Sequence, residues 1–366
     1  MRGGGTVGVG VIGAGVISSQ YLRNLTAFPD LDVLFVADID EARAHERAAE
    51  FGVAGSGSVG ELLAHDGIEI VVNLTIPRAH VEVALRALAA GKHVWNEKPI
   101  ALDRKSGREL LDAAHGVGLR VGTAPDTFLG PGIQTSRRLI EAGEIGKPLT
   151  ALTLLQGPGP ESWHPNPDFL YLDGAGPLFD IGPYYLTTLV QLFGPISRVM
   201  AVRSQAKAVR IIGSGPRAGQ QFPVTVPTHV SAIYEFAAGQ TAQSMFTFDS
   251  MLRRKQFEVA GVDGTLAVPD PNTFTGDVVI HRSGGEATTV AQGEWTSTRG
   301  TGVVELARAI RAGRAERASG ELAFHVLDVM ISTSEAADRG TPVEIASTVE
   351  PTPALPEDWD PLARTL

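Results

Sequence analysis

Short apolar runs alternate with helical patterns along the first 150 or so positions. Val7–Ile12 reads as a strand, Val16–Leu25 as a helix, Leu31–Ala37 as a strand, and Asp40–Phe51, rich in alanine and charge, as a helix. In "SVGELLAHD", Ser58 and Glu61 stand at the spacing of a capping box. The apolar run Ile68–Thr75, a helix from Arg78 to Ala90, the strand-like "HVWNEKP", a helix near Ser106–His115 and the strand Leu119–Thr123 follow. This alternation predicts a parallel, doubly wound sheet.

Beyond residue 148 the texture changes. "LTALTLLQ", "ISRVMAVRSQ", "HVSAIYEFA", "TAQSMFTFDS" and "QFEVAGVDG" succeed one another with turns rather than helices between them, the pattern of a largely antiparallel sheet. A stretch rich in glycine and proline, "QGPGPESWHPNPDFLYLDGAGP", leads into a strong helical pattern over Leu178–Leu192, and helical patterns return near Val303–Ala312 and Glu321–Ala337. The fold class expected is α/β: an N-terminal Rossmann domain over residues 1–125, then an α+β domain with a large, mainly antiparallel open sheet over 126–366. The second domain is expected to bind substrate and oligomerise, with its C-terminal segment free to pack back on the first. At least five strand candidates with few helices leave one sheet face without cover, which predicts pairing with further copies as a homodimer or homotetramer.

Composition narrows the function classes. A chain of 366 residues suits about two domains. With 31 basic and 41 acidic side chains the net charge is −10, which disfavours nucleic acid and gives no pull toward an anionic membrane. There is no cysteine, so disulfides, thiolate metal sites and a cysteine nucleophile are excluded. The first apolar segment is broken by Gly8, Gly10, Gly13 and Gly15, unlike a secretory or membrane-spanning segment. A soluble cytoplasmic protein is expected.

"VGVGVIGAGVISSQYL", residues 7–22, fits the dinucleotide pattern G-x-G-x-x-G in two registers. The loop must follow the strand and open the helix, so Gly8 and Gly10 belong to the strand and the second register is the meaningful one. There Gly13 makes the tight turn, Gly15 lets backbone approach a pyrophosphate, and the amides around Val16 and Ile17 aim a helix N-terminus at its charge. Ser18 stands in the third glycine position. In "FVADID", Asp38 lies about 20 residues on, where a carboxylate accepts hydrogen bonds from ribose hydroxyls and repels a 2′-phosphate; NAD is favoured over NADP. Capping of the following helix is the competing role for Asp38.

"VVNLTIPRAHVEVALRALAAGKHVWNEKPIA", residues 71–101, resembles the signature region of the glucose–fructose oxidoreductase / inositol dehydrogenase / rhizopine catabolism (Gfo/Idh/MocA) family, through Thr75, Pro77, His80, Gly91-Lys92-His93-Val94 and Glu97-Lys98-Pro99. "GAGPLFDIGPYYL", residues 174–186, looks like the family's second signature, G-G-G-x-x-x-D-x-G-x-H, and "SGELAFHVLDVMISTSEAADRGTPVEI" looks like its closing helix and strand. The resemblance implies cofactor contacts at Thr75, Ile76, Pro77, His80, Glu97 and Lys98. Two positions depart from the pattern: Ala175 replaces the second glycine, and Tyr184 replaces the histidine four residues after Asp180, as in glucose–fructose oxidoreductase and the dimeric dihydrodiol dehydrogenases.

Hydride transfer from a secondary alcohol needs a group to take the hydroxyl proton and a charge to stabilise the developing alkoxide. Lys98 and Tyr184 supply both. A free tyrosine titrates near ~10, and a neighbouring ammonium lowers that. Asp180 and Tyr184, four apart, share a helix face, provided the helix starts close to Pro183. Asp180 is then expected to orient the tyrosine, the lysine or a substrate hydroxyl. The loop residues Trp163, His164 and Asp168, and Asp126 and Thr127 after the sixth strand, are candidate substrate contacts. His164 near Asp168 and Asp173 lacks the three or four convergent ligands of a zinc or iron site, so no metal is expected. The leading expectation is an NAD-dependent oxidoreductase acting on a hydroxyl or ketone of a sugar, cyclitol or related polyol. A dihydrodiol or ketosugar (anhydrofructose-like) enzyme and a non-catalytic dinucleotide-binding sensor are the alternatives.

Overall fold

The computed structural model describes residues 5–294 and 296–366. The chain forms two compact units. The first comprises residues 1–131, 293–327 and 352–366, and the second residues 132–292 and 328–351. The expected boundary fell after residue 125, with the C-terminal segment free to pack back on the first domain; residues 293–327 and 352–366 belong to the first unit.

In the first unit, β1 (Val7–Ile12), β2 (Leu31–Ala37), β3 (Gly55–Gly57), β4 (Ile70–Asn73), β5 (His93–Asn96) and β6 (Val121–Thr123) alternate with α1 (Ser18–Leu25), α2 (Glu41–Phe51), α3 (Val59–Ala64), α4 (His80–Ala89) and α5 (Arg104–Gly116). The sheet is parallel throughout, in the order β3-β2-β1-β4-β5-β6. The chain reverses direction across the sheet between β1 and β4, and in open α/β sheets ligands bind at the carboxyl ends of the strands at such a switch point. Every residue of β1 is buried, which explains Gly8 and Gly10: a Cβ on Gly8 would lie 1.9 Å from the Gly67 carbonyl oxygen, and one on Gly10 2.8 Å from Ile68 Cδ1. The capping box forms, with the Ser58 side chain accepting from the Glu61 amide and the Glu61 carboxylate accepting from the Ser58 amide.

In the second unit, α6 (Pro131–Glu141) is a helix the hydrophobic pattern did not announce. It is followed by β7 (Pro148–Gln156), α7 (Gly176–Phe193), β8 (Ile196–Ser204), β9 (Val209–Ile211), β10 (Gln221–Pro223), β11 (His229–Phe236), β12 (Thr241–Thr247), β13 (Arg254–Gly261), β14 (Thr265–Ala267), β15 (Val278–His281), β16 (Thr288–Val290) and, near the C-terminus, β17 (Val343–Glu344). Nine of these strands build one sheet, ordered β16-β15-β14-β13-β7-β12-β11-β8-β17; β9 and β10 form a separate ribbon. All pairs in the large sheet are antiparallel except β7 with β12. α7 packs on β7, β11 and β12 and is buried along most of its length.

The opposite face of that sheet carries exposed apolar side chains. Leu152, Gln243, Ile233 and Met200 stand in register across β7, β12, β11 and β8, with Val202 beside them; Val202 is 65% exposed and Ile233 41%. Two helices complete the chain: α8 (Thr301–Ala312) in the first unit and α9 (Gly320–Arg339), whose residues divide between the units. No helix among the described residues is long and apolar enough to cross a membrane.

Candidate active site

The glycine loop forms in the second register. Gly13 has φ +105°, and a Cβ there would lie 2.7 Å from the Leu74 carbonyl, so only glycine fits between β1 and the end of β4. A Cβ on Gly15 would meet nothing within 4 Å, leaving open space in front of the backbone that opens α1. Ser18, fully buried, donates from Oγ to the Gly15 carbonyl at 2.6 Å and so fastens the loop to the helix it precedes. α1 starts at Ser18 with no side-chain cap, which leaves the amides beyond Gly15 available to an anion.

Asp38 is buried, and its two oxygens accept from the Ala14 amide at 2.7 Å and the Asp40 amide at 2.9 Å. The cap of α2 is Asp40, which accepts from the Arg43 amide, so Asp38 does not serve that purpose. Each of its oxygens retains lone-pair capacity for a ribose hydroxyl. Around the loop, Val16 and Ile39 are 93% and 98% exposed and Ile76 53%. Three large apolar side chains thus stand bare after the carboxyl ends of β1, β2 and β4.

The second cluster of the first unit gathers around Asn73 and Glu97. Thr75 donates from Oγ1 to Asn73 Oδ1 at 2.6 Å, and Asn73 donates to Asn96 Oδ1 at 2.8 Å. Glu97 accepts from Tyr21 Oη at 2.8 Å and from the Lys98 amide at 2.9 Å, so its carboxylate shapes the turn that carries Lys98. Burial, reinforced by the Glu97 charge, holds the Tyr21 phenol well above its ordinary pKa, so Tyr21 is a neutral donor here. Tyr21 was not singled out from the sequence; its place on the Ser18-Tyr21-Leu22-Leu25 stripe shows burial, but not its partner Glu97 just after β5.

Three of the expected contact residues are buried. His80 is fully buried, with Nδ1 2.7 Å from the Pro99 carbonyl oxygen and Nε2 2.9 Å from that of Thr75, so its ring bridges the two motif segments. Asp126 is also fully buried: Oδ2 accepts from the Gly300 and Gly302 amides at 2.9 and 3.0 Å and so caps the start of α8. Burial pushes its carboxyl up to about 6. Thr127 is 1% exposed and likewise inaccessible.

In the second unit, α7 begins at Gly176, well before Pro183, so Asp180 and Tyr184 lie one turn apart on a continuous helix and share a face. Gly176 has φ +84°, and a Cβ there would lie 2.9 Å from the Pro227 carbonyl oxygen; Ala175, at the position that departs from the signature, has negative φ and is accommodated. Asp180 is half-buried and Tyr184 is 5% exposed. In the loop before α7, Trp163 is 62% exposed, while Asp168 is clamped by Arg217 through bonds of 2.8 and 2.9 Å and its carboxylate is committed to that pair. No group of three or more histidine, cysteine, aspartate or glutamate side chains among the described residues is arranged to hold a metal ion.

Comparison with known proteins adds the following. Residues 7–124 match the model of the oxidoreductase family with NAD-binding Rossmann fold, and residues 133–267 match the GFO/IDH/MocA C-terminal domain. The chain is 33% identical over 147 residues to an inositol 2-dehydrogenase/D-chiro-inositol 3-dehydrogenase of Lactiplantibacillus plantarum, covering 38% of this chain and 41% of that one. It is 27% identical over 285 residues to a 1,5-anhydro-D-fructose reductase of Ensifer adhaerens, covering 76% and 81%. With three curated relatives at 32–33% identity, the aligned stretch spans about half of the relative, 58%, 41% and 48% of its length. A levoglucosan dehydrogenase solved with NADH and L-sorbose shares the fold at a TM-score of 0.81 and 21% identity, covering 93% of this chain and 99% of that one.

Proposed function

The chain belongs to the Gfo/Idh/MocA oxidoreductase family, and from that premise we propose that it is an NAD-dependent dehydrogenase or reductase acting on a secondary alcohol or ketone of a sugar, cyclitol or related polyol. The observation that carries the reading is the buried Asp38 carboxylate bonded to the Ala14 amide beside the open backbone of Gly15. That pairing offers acceptors to ribose hydroxyls and amides to a pyrophosphate, and it meets a 2′-phosphate with like charge. The names of the relatives, an inositol dehydrogenase, an anhydrofructose reductase and a levoglucosan dehydrogenase, favour a cyclic polyol substrate.

Asp38 and the amides beyond Gly15 would hold NAD, which would supply the acceptor for the hydride of the carbinol carbon. Tyr184 takes the hydroxyl proton as the carbonyl forms, and returns it in the reverse reaction. Lys98 supplies the positive charge that favours phenolate and alkoxide. Asp180, one helical turn before Tyr184, orients the tyrosine or a substrate hydroxyl. Glu97 and His80 hold the turn on which Lys98 sits. The long alignment with an anhydrofructose reductase supports a second reading, reduction of a ketosugar, which uses the same residues with the proton moving the other way.

The bare apolar face of the nine-stranded sheet supports self-association in the cytoplasm as a dimer or tetramer, because a row such as Leu152, Ile233 and Met200 gains by excluding water against a second copy. The function is tested by following nicotinamide absorbance in both directions with a panel of sugars, cyclitols, diols and ketosugars. Reduction of NAD by none of the alcohols, together with oxidation of NADH by none of the ketones, overturns it.

A further inference from the structure

Beside its large sheet the second unit carries a small frame of its own. Leu170, Tyr171, Ile212, Phe222, Val224 and Phe248 form a separate apolar cluster that joins the loop before α7 to the β9–β10 ribbon. Arg210 on β9, 5% exposed, pairs with Glu161 and Asp249, donates to the Pro158 and Phe248 carbonyls at 3.2 Å each, and lies 5.0 Å over the Tyr171 ring. The ribbon's turn presses on the loop: a Cβ on Gly215 would be 2.5 Å from Pro165 Cβ, and Arg217 grips Asp168 with two bonds. An irregular loop tied by a buried cation, a bidentate ion pair and close backbone packing is held in shape before any ligand arrives.

What this frame displays is a row of three rings. Trp163 and Phe169 are 62% and 59% exposed, and His164 stands between them with ring centroids 5.5 Å away on either side. The Asn166 amide donates to His164 Nδ1 at 3.0 Å, so the neutral imidazole carries its hydrogen on Nε2, for which no partner is found among the described residues.

We propose that Trp163, His164 and Phe169 form a recognition platform for the closed ring of a sugar or cyclitol, which rests its C–H face on the two exposed rings and takes one hydroxyl on His164 Nε2–H. The proposal rests on the sugar or cyclitol reading above and sharpens it to ring-closed substrates. A closed polyol ring is stiff, with a flat patch of C–H groups and a polar rim, and it matches flat apolar surfaces that flank one donor. An open-chain polyol has no fixed apolar face and would lose its rotamer freedom on stacking. A wholly apolar occupant, including the aliphatic row of a second copy, would bury the imidazole N–H without an acceptor.

The test reads binding without turnover, so its failure is separable from failure of the proposed activity. Tryptophan fluorescence of the full chain is titrated with myo-inositol, methyl glucoside and, as the open-chain probe, sorbitol; Trp163→Phe identifies the responding signal. The expected result is saturation by the closed rings at concentrations where sorbitol gives none, with the half-saturation point, read by saturation-transfer NMR because the fluorophore is removed, raised about tenfold by Trp163→Ala combined with Phe169→Ala. His164→Gln, which keeps a donor, is expected to bind better than His164→Leu. Circular dichroism checks that each variant folds, and saturation-transfer NMR on Trp163→Phe, which keeps an aromatic surface, gives an independent reading of binding. Equal saturation by sorbitol, unchanged binding in the double variant, or a fall in light-scattering mass of that variant with sugar binding intact overturns the proposal; the last would mean that a second copy is the occupant.

Discussion

Asp38 accepts a hydrogen bond from the Ala14 amide at 2.7 Å, so the acidic residue that follows β2 holds the glycine loop that follows β1. One carboxylate therefore shapes the turn and faces the place where a ribose would bind. Asp38→Ala should weaken NAD binding by roughly ten- to a hundredfold, from loss of one to two charge-assisted bonds. NADP should weaken less, because a repulsive charge leaves with the side chain. The ratio of the two dissociation constants, measured by NADH and NADPH fluorescence, is the readout, since loosening of the loop affects both cofactors alike. An unmodified protein that prefers NADP would refute the assignment.

Gly13 and Gly15 separate fold from ligand binding. At Gly13 an added methyl meets the Leu74 backbone at 2.7 Å in a conformation of φ +105°, so Gly13→Ala should lower the melting temperature by several degrees, consistent with ~1–3 kcal/mol of strain. Gly15→Ala places its methyl in open space and should leave the melting temperature near that of the wild type. Its NAD affinity should nonetheless fall by about tenfold or more, because the methyl occupies the approach of the pyrophosphate. If Gly15→Ala binds NAD normally, the cofactor does not lie against this loop.

The bare sheet face predicts assembly. Ile233→Lys places a charge in the middle of the Leu152, Gln243, Ile233 and Met200 row without touching the buried side of β11. Light scattering at micromolar concentration should show a multiple of the 38.6 kDa chain for the wild type and a shift toward a single chain for the variant. A wild type that already scatters as one chain would refute the interface.

Much of the first unit was legible because its signals are local. The strand-to-helix switch at Gly13, the capping box at Ser58 and the alternation of β1–β6 with their helices all follow from short-range periodicity and steric rules. What was not legible has a different cause. His80, Asp126 and Thr127 are polar residues in motif-like positions, and sequence alone does not say whether such a residue faces a ligand or is buried on backbone groups. For Asp126 the decisive partners, Gly300 and Gly302, lie more than 170 residues away in sequence. The same distance hides Gly302 itself: a Cβ there would lie 1.9 Å from the Trp95 ring, a constraint no local pattern reveals. The partner of Asp168 is equally hidden, because Arg217 sits in the turn of a ribbon that the sequence shows only as two short polar–apolar runs.

Asp126 yields a pH prediction. Its folded carboxyl is pushed up to about 6, chiefly by burial, from an ordinary value of 3.8, so the folded state holds the proton more tightly than the unfolded state. The stability it contributes is fully present below the ordinary value and is lost as pH rises through about 6. Asp126→Asn cannot titrate. Denaturant unfolding from pH 4 to 7 should show the wild type losing stability relative to the variant as pH rises, by about 1.4 kcal/mol for each unit of pKa shift. A wild-type-minus-variant difference that stays constant over this range would mean that Asp126 does not titrate there.

The proton-carrying role proposed for Tyr184 can be tested against its own neighbour. Tyr184→Phe removes the hydroxyl and keeps the ring, so turnover should fall by ~10²–10⁴-fold with NAD binding nearly unchanged. Lys98→Met should cost at least as much, because it removes the charge that favours both phenolate and alkoxide. Tyr185 is fully buried between Phe246 and Phe257, with ring centroids 5.5 and 6.1 Å away, and its hydroxyl has no partner among the described residues. Burial pushes that phenol far above its ordinary pKa, which removes it as an acid or base near neutral pH. Tyr185→Phe should therefore keep full activity, and relief of an unsatisfied buried hydroxyl should raise stability by ~1 kcal/mol. Steady-state kinetics and thermal melts on the three variants decide the matter. Full activity in Tyr184→Phe, or equal losses at 184 and 185, would transfer the proton to Asp180 or Lys98 and leave Tyr184 as a packing residue of α7.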